Sequence, residues 1–430
     1  MKKILLFVLL AAGVTFFQSS GLFAQCGDRY LLPIFSNVTV VNNVQYGSNV
    51  TVEGTTKILQ FDFYEPQGDD FEMRPLIILA HGGTFVAGDE NSPDIVYLCQ
   101  ELAKRGYACA SINYRLLPYA TAIASLFNGQ IQSVFFDEVA KAVTDMRAAI
   151  RYFRQDAATT NAYRIDPNQI FIGGASAGAI TAVHAAYLTS ETDFDGYTLT
   201  GGLTPMDHIN NNGGFEGNSG NPGYSSSVIG LINLCGAIGS INFMQAGETP
   251  VVSLHGTTDS VVPYGTGSAN AFGVPVITVD GSQVMHQRAD LLNIPNALLS
   301  FPGEDHMAHD SQTNRPASLA FITEFLYDLV DCSSQSVGIE QNTTQQLQPD
   351  IVLYPNPASS NTEVTLSFSN FDAPNVTVQL FSLLGQKVLE FTAPSNTFVS
   401  LNLSKLSAGM YQVMVSDGVK MSVKKLSIVK

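Results

Sequence analysis

Hydrophobic positions in this chain follow two different rhythms, and the change falls near residue 350. Up to about residue 330, short mostly apolar runs, continuous in Leu76–Ala80, alternate with stretches of helical period. Leu76–Ala80, Ala108–Tyr114, Ile170–Ile172, Val228–Leu234, Val251–His255 and Ala297–Phe301 are the runs. A strand without a polar face is covered on both sides, as in a parallel sheet. Between them, Pro93–Lys104, Asp137–Arg154, Thr181–Tyr187, Gln283–Leu292 and Ala317–Val330 read as helices. Strands alternating with helices predict a mostly parallel α/β sheet. Three β-rich segments precede it, Val38–Val41, Val50–Val52 and Ile58–Tyr64. In the last, Leu59–Phe63 alternates apolar with polar, as a half-exposed antiparallel strand does. Two stretches escape the pattern. Residues 116–135 read as irregular and are expected to line a pocket. Residues 199–226, rich in Gly, Asn, Ser and Pro, have the length of a functional or mobile loop.

Beyond residue 350 the helical period disappears. Ile351–Tyr354, Glu363–Phe368, Val376–Phe381, Lys387–Phe391, Phe398–Leu403, Met410–Val415 and Lys420–Ile428 read as strands separated by turns, which predicts a small antiparallel β-sandwich. The polar, low-complexity residues 333–350 read as a linker. At the other end, Lys2 and Lys3 precede an apolar stretch from Ile4 to Phe17, with Ala24 as a small residue before cleavage. That is the pattern of a signal peptide, and the run is shorter than the ~20 residues of a membrane span. The expected organisation is therefore a signal peptide over 1–24, an α/β body over 25–332, a linker over 333–350 and a β domain over 351–430.

Charge divides at the same place. The chain carries a formal charge of −16, while residues 351–430 hold four acidic and six basic side chains, so −18 rests on residues 1–350. A strongly acidic body argues against nucleic acid as a partner. Export permits disulfides. Of the five cysteines, Cys26 and Cys332 bracket the body, where a bridge would tie its ends, and Cys99 and Cys109 are a second candidate pair. The odd number leaves at least one thiol unpaired, and no C-x-x-C suggests a metal.

Candidate chemistry begins at Gly174-x-Ser176-x-Gly178. The pattern marks a nucleophile only between a strand and a helix, and Ile170–Ile172 before it and Thr181–Tyr187 after it supply both. A serine nucleophile needs a base, an orienting acid and donors for the oxyanion. Asp259 lies in the exit loop of the strand ending at His255, and His306 lies just past the glycine turn after the strand ending at Phe301. His306 is preferred as base over His309, which would begin the following helix. His306-x-x-His309 lacks a third metal ligand in the sequence. Asp259 is preferred over Asp280, which lies farther from a strand end. The order Ser176, Asp259, His306 is that of the α/β-hydrolase triad. In His81-Gly82-Gly83-Thr84, after a buried strand, the amides of Gly83 and Thr84 are expected to join that of Ala177 as an oxyanion hole. His184 and His255 read as locally hydrogen-bonded or packed residues, Asp305 and Asp310 as solvated flanks, and His208 and His286 carry no pattern.

Over about Arg29–Val330 the chain resembles secreted α/β-hydrolase carboxylesterases and lipases of the hormone-sensitive-lipase and carboxylesterase-B types. The resemblance rests on His81-Gly82-Gly83, Asn113-Tyr114-Arg115-Leu116, Gly174–Gly178, His255-Gly256-Thr257-x-Asp259-x-Val261-Val262-Pro263 and His306. Thr84 stands where the lipase motif has a third glycine, which narrows the space for bulky acyl groups. Residues 351–430 resemble the C-terminal sorting domain of the Bacteroidetes type IX secretion system, through Leu353-Tyr354-Pro355-Asn356-Pro357, Leu383-Leu384-Gly385-Gln386, Leu406–Tyr411 and Lys424-Lys425-Leu426. These resemblances imply an α/β-hydrolase fold followed by an antiparallel β-sandwich. They also imply an exported serine esterase, with no cofactor or metal, that meets a small or polymer-borne ester and the secretion machinery. A peptidase or amidase on the same triad and a non-catalytic binding protein on the same fold are the alternatives.

Overall fold

Seven consecutive buried residues, Arg74–Ala80, set the middle of the main sheet. In chain order its strands are β1 (Val38–Val50), β2 (Thr56–Pro66), β3 (Arg74–Ala80), β4 (Ala108–Ile112), β5 (Ile165–Ala175) and β6 (Gly230–Leu234). A two-residue β7 (Ala237–Ile238) leaves the sheet, and β8 (Val251–Gly256) returns to it. Strands β9 (Thr266–Ala271) and β10 (Val274–Gly281) form a hairpin outside, before β11 (Asn296–Phe301) closes the edge. The spatial order is β1-β2-β4-β3-β5-β6-β8-β11. The β1–β2 and β2–β4 pairings are antiparallel and all later ones parallel. The computed structural model describes residues 26–200, 202–332, 350–356, 358–359, 363–382, 387–404, 406–407, 409–418 and 420–429. The expected signal peptide, all but the last residue of the linker, and the sorting-motif residues Pro357, Leu383–Gln386 and Ala408 lie outside them.

Successive side chains of a strand point to opposite faces, and the buried strands feed two separate apolar layers. Leu76, Ile78, Ala110, Ile112 and Ile172 face one layer, shared with α3 (Ile131–Thr159), α4 (Ala177–Tyr187) and α6 (Ser282–Leu292). Ile77, Leu79, Cys109, Phe171, Val252 and Leu254 face the other, under α1 (Pro93–Ala103) and α7 (Arg315–Tyr327). Burying each such Leu, Ile or Phe contributes about 1.5–3 kcal/mol.

The structure corrects four expectations. Val50–Val52 is no separate strand: β1 runs through to Val50 and Thr51 begins the turn into β2. Residues 116–135 are mostly helical, forming α2 (Tyr119–Phe127) and the first turn of α3, with Gly129 in a left-handed conformation between them. Within 199–226, α5 (Pro205–Asn211) starts on a Thr204–Asp207 capping box. The segment after it is held by arginines spaced along one face of α3. Arg151 donates to the carbonyls of Glu216 (2.8 Å) and Gly220 (2.9 Å), and Arg154 to those of Ser225 (2.5 Å) and Ser227 (2.6 Å). Finally, Cys99 and Cys109 are not bridged; both are free and buried, as is Cys235, while Cys26 and Cys332 form a disulfide with Cα atoms 5.5 Å apart.

The C-terminal unit has its own core, including Val364, Leu366, Val378, Leu380, Val413 and Val415. Its strands are β12 (Asp350–Tyr354), β13 (Ala358–Ser359), β14 (Glu363–Ser369), β15 (Asn375–Ser382), β16 (Lys387–Pro394), β17 (Phe398–Asn402), β18 (Gly409–Ser416) and β19 (Met421–Val429). They form sheets β12-β14-β17 and β13-β19-β18-β15-β16, all antiparallel apart from the short β13–β19 pair.

Candidate active site

Strand β5 ends in the turn that carries Ser176. Its φ of 54° and ψ of −116° lie outside the regions that residues with a Cβ ordinarily occupy, a strain typical of positions that the surrounding structure over-determines. Here the Ser176 amide donates to Leu234 O (2.8 Å), and its carbonyl accepts from Ile180 at the start of α4 (2.9 Å). The flanking glycines are required by contact. A Cβ on Gly178 would lie 2.1 Å from Ala80 O, and one on Gly174 would lie 2.5 Å from both Ala80 O and Gly178 C.

The loops after β8 and β11 bring the other two residues to this turn. His306 Nε2 is 2.9 Å from Ser176 Oγ, and His306 Nδ1 is 2.7 Å from Asp259 Oδ2. The other carboxylate oxygen of Asp259 accepts from the amides of Val261 (2.8 Å) and Val262 (2.9 Å). Burial raises the Asp259 carboxyl, but hydrogen bonds from His255 and His306 outweigh it and hold the group well below the usual carboxylate range. For His306, burial acts downward, while Asp259 and the Cys235 thiol together raise it to about 10. Cys235 mirrors this: burial acts upward, and His306 and His309 bring it to about 6. The two shifts belong to one buried pair, and a proton held on His306 is matched by one missing from Cys235.

Behind the carboxylate stands a residue that the sequence offered only as a local hydrogen-bonder. His255 is fully buried, with Nε2 3.1 Å from Asp259 Oδ2 and 3.0 Å from Val262 O. Both neighbours are acceptors, so this nitrogen carries the proton. Nδ1 then accepts from Ser282 Oγ (2.7 Å), which in turn accepts from Asn233 Nδ2 (3.1 Å). The signal was its four-residue spacing from Asp259 across a strand end.

Gly83 and Thr84 follow β3 with φ of 114° and 57°. A Cβ on Gly83 would lie 2.0 Å from Ala87 O. Among the described residues, the amides of Gly83, Thr84 and Ala177 donate to no protein acceptor, and Ala177 opens α4, where a helix leaves its first amides free. Asp280 is elsewhere, accepting from Ile241 N (2.9 Å) and Thr266 Oγ1 (2.6 Å). Asp305 is more than a solvated flank, since its Oδ1 accepts from the amides of both Ser260 and His306 at 2.7 Å. Asp310 pairs with Arg315 (2.9 Å). His184 is a packed residue with both nitrogens used, at Ile180 O (2.7 Å) and Gly239 N (3.0 Å). His309 is buried rather than solvated, beside Cys235.

A cavity of about 100 Å³ opens beside Ser176, with an almost wholly apolar wall. Phe135, Phe136 and Val139 of α3, Ile180 of α4 and Thr84 line one side. The β9–β10 hairpin, with Ala271, Val276 and Val279, forms the roof. The hairpin pairs with β7 and leaves and rejoins the body at one neck, where Gly281 N donates to Gly265 O (2.9 Å).

A mostly parallel sheet with a strained serine turn, an acid and a histidine at successive strand ends defines an esterase-like α/β-hydrolase body. Comparison with protein families agrees: residues 61–210 match the family described as BD-FAE. Residues 352–430 match the secretion system C-terminal sorting domain, which marks the protein as secreted or cell-surface and destined for that machinery. No described helix is long and apolar enough to cross a membrane. No curated protein matches. Among solved structures, the chain is similar to Thermogutta terrifontis esterase 2 phosphoramylated by tabun (17% identity, TM-score 0.47, covering 71% of this chain and 98% of that one). It is also similar to a truncated form of a carbohydrate esterase from gut microbiota (22% identity, TM-score 0.46, covering 69% and 97%).

Proposed function

We propose that the protein is an exported serine esterase that hydrolyses carboxylic esters bearing an apolar acyl group. The observation that carries this reading is the hydrogen-bonded line Ser176 Oγ, His306, Asp259, with spacings of 2.9 and 2.7 Å, at the mouth of an apolar cavity. With the shared proton on the Cys235 thiol, neutral His306 takes the Ser176 proton at Nε2 as Oγ attacks the ester carbonyl. Asp259 keeps the other proton on Nδ1 and stabilises the imidazolium. The amides of Gly83, Thr84 and Ala177 receive the oxyanion, each such donor contributing about 10²–10³ in rate. His306 returns the proton to the leaving alcohol, and water then repeats the sequence on the acyl-enzyme. The acyl group lies against Phe135, Val276 and Ile180, and Thr84 limits its width at the serine. The functional body is residues 25–332, released from the signal peptide 1–24 and followed by the linker 333–350 and the sorting domain 351–430. The Cys26–Cys332 bridge, at the two ends of that body, supports these limits.

The test is turnover of p-nitrophenyl esters of graded acyl length beside peptide anilides, for the wild type and Ser176→Ala. Ester turnover lost in Ser176→Ala supports the assignment, and ester turnover kept at full rate overturns it. Preference for anilides would make the protein an amidase. Val276→Trp fills the cavity roof, so it lowers kcat/KM for long acyl chains while sparing acetate.

A further inference from the structure

A second line of serine, histidine and carboxylate lies outside the site described above. Ser133 and Asp137 stand one turn apart on α3, and α5 brings His208 to both. His208 Nε2 is 2.9 Å from Ser133 Oγ, and His208 Nδ1 is 3.3 Å from Asp137 Oδ1. Asp137 is itself held in place: Asn212 Nδ2 donates to Oδ1 (2.9 Å), and Lys141 Nζ donates to Oδ2. Burial raises its carboxyl, but the bond from His208 and the charge of Lys141 outweigh it and hold the group well below the usual carboxylate range. An ionised carboxylate only accepts, so Nδ1 carries the ring proton. Nε2 is then the acceptor and Ser133 Oγ the donor, the arrangement that a nucleophilic serine requires.

All three side chains line a cavity of about 580 Å³, which shares no lining residue with the one beside Ser176. Ser133 is 7% exposed, as is Ser176, so the two serines are open to the same degree. The amides of Gln132 and Ser133, in the first turn of α3, donate to no protein acceptor among the described residues. The wall differs in kind from the apolar one: Asn49, Thr51, Asn211 and Asn218 offer it groups that both donate and accept.

We propose that Ser133, His208 and Asp137 form a second acyl-transfer site, which takes small acyl esters of polyols. Ser133 Oγ bonds to the carbonyl carbon as its proton passes to His208 Nε2, and the free amides of Gln132 and Ser133 receive the oxyanion. Asp137 keeps the Nδ1 proton and balances the imidazolium. The ester C–O bond then breaks, and the proton leaves with the polyol. Water repeats the sequence on the acyl-serine, releasing the acid and restoring Ser133. The amide and hydroxyl groups of the wall take the hydroxyls of the polyol.

The experiment labels the full chain with a small alkyl fluorophosphonate, which transfers its phosphonyl group to an activated serine and releases fluoride. Peptide mass spectrometry locates the adduct. The proteins are the wild type, Ser176→Ala, and Ser176→Ala combined with Ser133→Ala or with His208→Gln. The wild type should carry adducts at Ser176 and Ser133, and Ser176→Ala at Ser133 alone. That adduct should vanish with Ser133→Ala. With His208→Gln it should form about 10²-fold more slowly or worse, the share of the rate that a general base supplies. Thermal melts verify that the variants fold. Excess glyceryl triacetate, a small polyol ester, should protect Ser133. Folded Ser176→Ala without an adduct at Ser133, labelling as fast with His208→Gln, or no protection by glyceryl triacetate would overturn the proposal. An adduct at Ser133 in a wild type that takes none at Ser176 would overturn the esterase reading of Ser176 and leave the second site standing.

Discussion

Replacing Asp259 with Asn tests the orienting role most sharply, because the surroundings dictate how the amide must sit. One oxygen of Asp259 accepts from two peptide N–H groups, at 2.8 and 2.9 Å. The Asn oxygen has to take that place, so its NH₂ faces His306 Nδ1 and His255 Nε2. His255 keeps Val262 O as an acceptor at 3.0 Å and tolerates the change. His306 does not, since a donor opposite Nδ1 moves the ring proton to Nε2, where it points at Ser176 Oγ and blocks proton transfer. The wrong tautomer costs about 10⁴ in kcat, or about 5 kcal/mol in the barrier. KM should hold, because Asp259 is not part of the cavity wall. Stability should fall by only about 1–3 kcal/mol, the cost of one mismatched buried contact. Steady-state kinetics on a p-nitrophenyl ester, with a thermal melt to verify folding, gives all three numbers. A variant retaining more than about a tenth of wild-type kcat would refute Asp259 as the orienting acid, and Asp305, on the same loop as His306, would become the candidate.

Three other outcomes follow from the packing around the site. The Cys235 thiol helps raise His306 to about 10, so Cys235→Ala should move the acidic limb of the kcat/KM profile to lower pH. In the linked stability curve, the charged His306 contributes fully below its ordinary value of 6.5 and loses that contribution as pH rises through about 10; the same substitution should shrink this window in pH-dependent melts. Cys332→Ser opens a disulfide spanning 306 residues, and denaturant titration should show a loss of about 2–5 kcal/mol. Asp145→Ala leaves the buried Arg115 guanidinium, now bonded to it at 2.9 Å, without its partner, and the same titration should show a loss of about 3–5 kcal/mol.

The parts of this protein that read directly from sequence are those with one physical cause each. Leu76–Ala80 has no polar side chain, so it reads as a strand buried on both faces. Gly174 and Gly178 have backbone where a side chain would sit, so the serine turn showed in their spacing. What did not read arises where two distant segments share the work. The arginines of α3 find their acceptors in the carbonyls of residues 216–227, which carry no sequence signature. Cys235 and His306 lie in different segments, and no motif links the thiol to the histidine. The β9–β10 hairpin was hidden by composition, because Thr266–Ala271 is a half-exposed strand of small and polar residues that resembles a loop.

That hairpin has a consequence for how this enzyme could diversify. It hangs from the body by a closed neck at Gly265 and Gly281, between the segments that deliver Asp259 and His306, and it roofs the cavity without supplying a triad residue. Residues 266–280 are therefore a cassette. Exchange or lengthening that keeps Asn270, which donates to Val261 O and Ser260 O on the Asp259 loop (2.8 Å each), would re-cut the mould for the acyl group while the reacting atoms kept their positions. Selectivity and chemistry would then be inherited separately within one continuous chain.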